Sequence, residues 1–99
     1  MSEKIIFLGT SKFAVPILEK IIESNFNISA VYTQPPKKSS RGMKVQKTPI
    51  QIKSELVGLP IRTPSSLKNN IDEYNFIKKI QPTIVIVISY GQIIPKEFL

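Results

Sequence analysis

The chain has 99 residues and a formal net charge of +7, which limits it to one small domain with a basic surface. Hydrophobic residues make up 41% of the chain, a value typical of a globular protein rather than a disordered or membrane protein. The sequence has no cysteine and no histidine. Disulfides and thiolate nucleophiles are therefore excluded, and the usual transition-metal ligands are missing.

The start of the chain predicts a strand, a helix and a second strand. Residues 4–8 form an almost continuous apolar run that ends at Gly9, typical of a strand buried on both faces of a parallel sheet. Apolar residues at helical spacing predict a helix over about residues 13–24, with Pro16 tolerated in its first turn. Residues 28–33 are β-branched and aromatic and predict a second strand, parallel to the first through a right-handed crossover.

A second helix and a short third strand follow a long basic segment. Thr48 is a suitable cap for this helix, with Pro49 at its first position. Gly58 is placed for a left-handed turn at its end, and residues 59–62 predict a short strand. The apolar side of this helix is expected to consist of Ile50, Leu56 and Val57.

The last third of the chain predicts another helix and strand. Asn70 with Glu73 resembles a capping pair at a helix start, and Pro82 ends the helix. Asp72 and Glu73 are adjacent in the first turn, so we interpret them as acids favoured by the helix dipole rather than as a catalytic or metal-binding pair. Residues 83–89 are rich in Ile and Val and predict a strand with apolar cover on both faces.

This order of elements predicts an α/β fold, Rossmann-like, with a mostly parallel sheet and flanking helices, in one domain over residues 1–99. Ligands of such sheets bind at the carboxyl ends of the strands. Residues 9–11, 33–41 and 89–94 leave the sheet at that edge, which predicts a cleft there. The strand of residues 84–88 is expected at the edge of the sheet, where a long apolar strand favours association between copies.

The basic segment, residues 34–48, is the most unusual part of the chain. Six of the fourteen Lys and Arg residues lie between Lys37 and Lys53, and no acidic residue does. A solvated connection is one interpretation, but the length of the loop and its concentrated charge favour a surface that binds a polyanion. The candidate residues are Lys37, Lys38, Arg41, Gly42, Lys44 and Lys47.

Residues 9–11 form a turn before a helix and could hold an anion on main-chain amides. The dinucleotide fingerprint needs several spaced glycines, and this turn has only Gly9. A tight strand-to-helix turn is therefore the favoured interpretation. Contact of Gly9 and Thr10 with a substrate phosphate or ribose remains an alternative.

The segment after the last strand, from Tyr90, has two interpretations. Core packing beneath a loop is favoured by the residues alone. The alternative is a slot for a flat ring, with Ile93 and Ile94 against its faces and Gln92 at its edge.

Several short motifs follow one another along the chain: Ile5–Thr10 with Phe13–Pro16, Val31–Pro35, Arg41–Gly42, Thr48–Ile50 and Ser89–Lys96. Each motif is weak alone, but the ordered set resembles the N-terminal part of the methionyl-tRNA formyltransferase family over essentially the whole chain. The Thr-Gln-Pro start of a basic Arg-Gly loop separates this family from relatives that formylate sugar nucleotides or glycinamide ribonucleotide.

The resemblance implies a formyltransferase that uses 10-formyltetrahydrofolate as co-substrate and no metal. Its partner would be initiator methionyl-tRNA, with the basic loop inserted into the acceptor arm. By position, Arg41 resembles the key arginine of that loop, and Lys44 and Lys47 resemble supporting phosphate contacts. Gln92 to Ile94 would line the edge of the formyl-folate cleft.

In the family, the catalytic Asn, His and Asp and a C-terminal tRNA-binding barrel lie beyond the position of Leu99. The resemblance therefore predicts a fragment that is inactive alone, with a separately encoded C-terminal piece as one partner. The alternative is a non-catalytic basic Rossmann-like module that binds tRNA or another polyanion. Under both interpretations the chain is expected in the cytoplasm. Its longest apolar run, residues 84–88, is too short to span a membrane, and its N-terminus does not resemble a secretory signal.

Overall fold

The computed structural model describes residues 3–38 and 44–98. Its strands are β1 (Lys4–Gly9), β2 (Asn27–Tyr32), β3 (Lys37–Lys38), β4 (Val45–Gln46), β5 (Ile61–Arg62) and β6 (Ile84–Ile88). Its α-helices are α1 (Val15–Glu23), α2 (Pro49–Leu56) and α3 (Ile71–Ile80), and single 3-10 turns cover Lys12–Ala14 and Lys96–Phe98.

The main sheet has the order β5–β2–β1–β6, and every neighbouring pair is parallel. β1 lies in the centre, where Ile5 pairs with Ile28 of β2 and with Ile84 of β6. The apolar run of β1 is continuous because its side chains enter an apolar cluster on each face of the sheet. The predicted Rossmann-like α/β class is confirmed.

Side chains of β1 alternate between two apolar layers, as strand geometry requires. On one face, α1 and α2 cover a cluster formed by Ile5, Phe7, Ala14, Leu18, Ile21, Ile28, Val31 and Ile50. On the other face, α3 lies over a cluster formed by Ile6, Leu8, Ala30, Tyr32, Leu67 and Tyr90. Because helices cover both faces of the sheet, a ligand would have to approach the ends of the strands rather than a face.

The predicted helix ends are confirmed by their hydrogen bonds. The main-chain N–H of Gln51 donates to Thr48 Oγ1 at 3.0 Å, and that of Glu73 donates to Asn70 Oδ1 at 3.2 Å. Gly58 follows α2 with a φ of +75°. These signals are local, so a sequence pattern is enough to find them.

The predicted apolar side of α2 is wrong beyond Ile50. Leu56 and Val57 are 78% and 43% exposed. The face that α2 buries contains Ile50 and Ser54, which are one helical turn apart. Leu56 points away from that face, and Val57 lies past the last helical residue.

β6 is one of the two edge strands of the main sheet among the described residues, as predicted, and β5 is the other. Its apolar cover is less complete than the sequence predicts, because Ile84 and Val87 are 40% and 45% exposed.

Part of the basic segment forms regular structure. β3 and β4 pair as an antiparallel ribbon, with Lys37 opposite Gln46 and Lys38 opposite Val45. We call residues 37–38 with 44–46 the basic arm. Arg41 and Gly42, two of the predicted tRNA-binding residues, lie outside the described residues.

Candidate functional site

The hydroxyl of Thr10 joins the carboxyl ends of three strands. Thr10 Oγ1 donates to the main-chain oxygen of Tyr90 at 2.6 Å and accepts from the main-chain N–H of Gln34 at 3.2 Å. The main-chain N–H of Thr10 also donates to Ser89 O at 3.1 Å. The segments after β1, β2 and β6 are therefore held together at one edge, as parallel topology predicts.

A pair of side-chain amides extends this connection to the fourth strand. Gln92 Nε2 donates to Gln34 Oε1 and to the main-chain oxygen of Pro64, each at 2.9 Å. Pro64 lies shortly after β5, so one hydrogen-bonded network touches all four strand ends. Gln92 Oε1 is buried and has no hydrogen-bond partner within the described parts of the chain.

Gly91 is required where the chain passes Gln34. Its φ is +92°, and a Cβ atom at this position would lie 2.9 Å from Gln34 Nε2. A side chain here would strain the main chain and push Gln34 away from Gln92.

A pocket of about 200 Å³ opens between the strand ends and the basic arm. We call it the lysine pocket; its lining residues are Thr10, Gln34, Pro35, Lys37, Lys38, Gln46, Lys47 and Thr48. The arm therefore projects from the same edge that carries Thr10 and Gln92. Three lysines around so small a space favour binding of an anion.

The lysines of this region do not have equal surroundings. Lys47 Nζ contacts both carboxylate oxygens of Glu55, at 2.9 and 3.0 Å. Lys37, Lys38 and Lys44 are exposed. A phosphate would therefore have to compete with Glu55 for Lys47, whereas the exposed arm lysines remain accessible to it.

A second pocket, of about 440 Å³, lies beside Gln92. We call it the Ile93 pocket; it is lined by Ser66, Lys68, Gln92, Ile93 and Pro95. Ile93 is 88% exposed, whereas Ile94 packs against the cluster that contains Tyr90. Of the three residues predicted for a ring slot, two line this pocket and Ile94 supports it from the core.

Gly9 has a packing role in the turn after β1. It is buried, and a Cβ atom there would lie 2.7 Å from the Phe7 ring and 3.0 Å from Ile88 O. The close approach of β1 and β6 explains this glycine without a ligand. Thr10, the next residue, is the one that lines the lysine pocket.

Glu73 lies in the first turn of α3, as predicted, but it also has partners outside that helix. Its carboxylate accepts from Arg62 Nε at 2.6 Å, from Arg62 Nη2 at 3.1 Å and from the Tyr32 hydroxyl at 2.6 Å. The Arg62 guanidinium also lies 3.8 Å from the centre of the Phe76 ring. This network ties α3 to β2 and β5, and no local pattern in the sequence indicates it.

These contacts shift the pKa values of the network. Burial alone would raise the pKa of Glu73, but the hydrogen bonds from Arg62 and Tyr32 outweigh it and lower that pKa. Burial, followed by the hydrogen bond to Glu73, raises the pKa of Tyr32. Glu73 is therefore held ionised and Tyr32 neutral, as suits a structural contact.

Within residues 3–38 and 44–98, no group of three or more His, Cys, Asp or Glu residues is arranged to hold a metal ion. No helix in these same ranges is long and apolar enough to cross a membrane.

Comparison with known proteins matches the formyl transferase family over residues 3–99. A methionyl-tRNA formyltransferase from Pelagibacter ubique is 56% identical over 99 residues, which is 100% of this chain and 32% of that protein. Proteins of the same name from Rickettsia bellii and Alkaliphilus oremlandii are 45% and 42% identical over 96 residues, 97% of this chain and 31% of each relative. The chain spans about a third of the length of the curated relatives that it matches.

Proposed function

Because the chain belongs to the formyl transferase family, we propose that it is the N-terminal part of an enzyme that formylates methionyl initiator tRNA. The formyl donor would be 10-formyltetrahydrofolate, and the acceptor the amino group of the methionine. The names of the similar proteins support methionyl-tRNA as the acceptor, and the folate donor is what the family resemblance implies.

One observation carries the proposal. The lysine pocket and the Ile93 pocket meet at the hydrogen bond of 2.9 Å between Gln34 and Gln92. A surface for a polyanion thus lies directly beside a surface with apolar and amide character. Transfer between a tRNA and a folate requires these two kinds of surface next to each other.

The tRNA side of the site would be the basic arm with the turn after β1. Lys37, Lys38 and Lys44 would contact phosphates, with electrostatic attraction as the main source of affinity. Arg41 and Gly42 would act beside them, because a guanidinium binds phosphate in a bidentate manner and glycine permits close approach. Thr10 would touch the tRNA in the lysine pocket, with Gly9 shaping the turn and Lys47 contributing after release from Glu55.

The residues beside the Ile93 pocket fit the ring of a folate. Gln92 lines this pocket, and Ile93 presents an exposed apolar surface. Gln92 and Ile93 would hold the ring, while Ile94 supports them from the core. When bound, the folate supplies the formyl group.

This chain would bind both substrates but supply no catalytic group. Formyl transfer to an amine needs a base for the ammonium proton and a donor for the developing oxyanion. No acidic residue lines either pocket within the described structure, and the sequence has no histidine. The catalytic residues would come from the other two-thirds of the enzyme, as a continuation or a separately encoded piece, in the cytoplasm.

A chimeric enzyme tests this proposal. Residues 1–99 would replace the matching segment of the Pelagibacter ubique relative, and formylation of methionyl initiator tRNA would be measured. We expect activity with 10-formyltetrahydrofolate, lost on removal of residues 1–99 and reduced by Lys37→Ala with Lys38→Ala. A folded chimera that binds tRNA and yields no formylmethionyl-tRNA would contradict the proposal.

The exposed lysines of the arm also favour a second candidate, a module that binds tRNA without chemistry. The 99-residue chain would then bind tRNA alone, with an affinity that falls steeply as salt rises. Replacing the arm lysines with alanine should flatten that dependence. Absence of binding at low salt would exclude this candidate while leaving the chimera test intact.

A further inference from the structure

Gln34 and Gln92 belong to different pockets but are joined by their side chains. Gln34 lines the lysine pocket, and Gln92 lines the Ile93 pocket. Gln92 Nε2 donates to Gln34 Oε1 at 2.9 Å, so the linings of the two pockets touch at a hydrogen bond between side chains. This bond connects the segment that follows β2 with the segment that follows β6.

Both ends of this bond are anchored elsewhere in the fold. The main-chain N–H of Gln34 donates to Thr10 Oγ1 at 3.2 Å, which ties Gln34 to the end of β1. Gln92 Nε2 also donates to the main-chain oxygen of Pro64 at 2.9 Å, which ties Gln92 to the segment after β5. Gly91 lies so close that a Cβ atom there would be 2.9 Å from Gln34 Nε2. The two amides are therefore a fixed connection between the pockets, and loss of either amide would let the pockets shift relative to each other.

The spacing of two pockets affects transfer between bound molecules differently from the binding of each molecule. Transfer requires the reacting atoms to come within about 3–3.5 Å, and a displacement of about 1 Å can lower the rate by about a hundredfold. The affinity for each molecule depends mainly on contacts within its own pocket. A bond between the pockets is therefore expected to change the rate of transfer more than either affinity.

We infer that Gln34 and Gln92 are positioning residues whose hydrogen bond sets the spacing between the lysine pocket and the Ile93 pocket. The inference rests on the proposed function, in which the first pocket holds the tRNA and the second holds the formyl donor. The correct spacing brings the amino group of the methionine within reach of the formyl carbon. Neither glutamine exchanges a proton with the substrates, because a side-chain amide is neutral and only donates and accepts hydrogen bonds.

The test compares transfer with binding in the chimeric enzyme. The variants are Gln34→Met and Gln92→Met, which each remove one amide at similar size, the double variant, and Asn75→Met, a similar change at an exposed position on α3. The single-turnover rate is measured with methionyl initiator tRNA and 10-formyltetrahydrofolate at saturating concentrations. Dissociation constants are measured separately for the tRNA and for 5-formyltetrahydrofolate, a stable probe, and thermal unfolding shows which variants are folded.

We expect each glutamine variant to lower the saturated rate by about tenfold or more, while both dissociation constants change by less than about threefold. The double variant should be no slower than the slower single variant, because one substitution already breaks the bond. Asn75→Met should match the unmodified chimera.

Three results would overturn the inference while the unmodified chimera still formylates tRNA and supports the proposed function. The first is an unchanged rate in a folded glutamine variant, and either variant decides the matter if the other does not fold. The second is a loss of affinity as large as the loss of rate, which would indicate a role in binding or in stability alone. The third is a double variant whose loss is the product of the two single losses. A folded, unmodified chimera that does not formylate tRNA would overturn both claims.

Discussion

The hydroxyl oxygens of Thr33 and Thr48 lie 2.7 Å apart and share a hydrogen bond. Thr33 follows β2 and is fully buried, and Thr48 caps α2. This contact closes the base of the segment that carries the basic arm. Thr33 and Thr48 therefore join the two ends of that segment through their side chains.

Substitution of Thr48 should destabilise the protein more than substitution of Thr33. Thr48→Val removes both the cap to Gln51 and the contact with Thr33, at a cost of about 1–2 kcal/mol. Thr33→Val keeps the cap and should cost about 1 kcal/mol. Thermal unfolding of both single variants and the double variant measures this. Additive effects would contradict the shared hydrogen bond.

Glu55→Gln should strengthen tRNA binding. The change removes the carboxylate that holds Lys47 at 2.9 Å, so Lys47 becomes available to a phosphate. The slope of log K against log salt should steepen by about one unit. Because the pair is exposed, stability should change by less than about 1 kcal/mol.

Glu19→Gln is the matched control for that change. Glu19 pairs with Lys53 at 3.1 Å, but neither residue lines the lysine pocket. An equal gain in tRNA affinity from Glu19→Gln would mean that net charge, not release of Lys47, is responsible.

Stability should fall in acid because of Glu73. Its pKa in the folded protein is lowered from the ordinary value of 4.5, so its contribution is present above that value. The contribution is lost as the pH falls through the lower pKa of the folded state, because protonation removes the charge that Arg62 binds. Glu73→Gln should cost about 2 kcal/mol at neutral pH and flatten the acid limb of a stability–pH curve.

Tyr32→Phe separates the hydroxyl from the ion pair. It removes one hydrogen bond to Glu73 and leaves both contacts with Arg62. Its acid limb should remain steep, unlike that of Glu73→Gln. A flat acid limb in Tyr32→Phe would show that Arg62 does not dominate the shift.

Val87→Lys should reduce association of the isolated chain. Val87 is 45% exposed on β6, an edge strand of the sheet among the described residues. A charge on an edge strand opposes pairing with another copy. Light scattering after size-exclusion chromatography measures the effect. Leu56→Lys on α2 is the control, since Leu56 is 78% exposed but lies on no edge. If both variants reduce association equally, exposed hydrophobic surface in general, rather than strand pairing at β6, would be its cause.

Local signals predicted much of the fold. The caps at Thr48 and Asn70 and the left-handed turn at Gly58 each depend on residues within about one helical turn. The continuous apolar run of β1 predicted a strand buried on both faces, because only a strand covered on both faces tolerates such a run. Parallel topology then brought Thr10, the basic arm and Gln92 to one edge.

The candidate site was only partly predictable. Gln34 was seen only as part of a motif, because its partner Gln92 is 58 residues away and neither side chain is unusual in its own segment. The ion pair of Glu73 is not predictable for the same reason: an acid at a helix start looks identical in the sequence whether or not Arg62 reaches it. The antiparallel ribbon of β3 and β4 is not predicted from the sequence either, because strands of two residues have no detectable hydrophobic period.

The sequence by itself determined the order of the helices and of the four strands of the main sheet, the position of the basic charge and the family to which the chain belongs, because periodicity, capping and motif order are properties of neighbouring residues. Only the tertiary structure decided which polar groups are paired: Gln92 with Gln34 and Pro64, and Glu73 with Arg62. Hydrogen bonds act over about 3 Å, so their partners are set by how the strand ends pack together and not by distance along the chain.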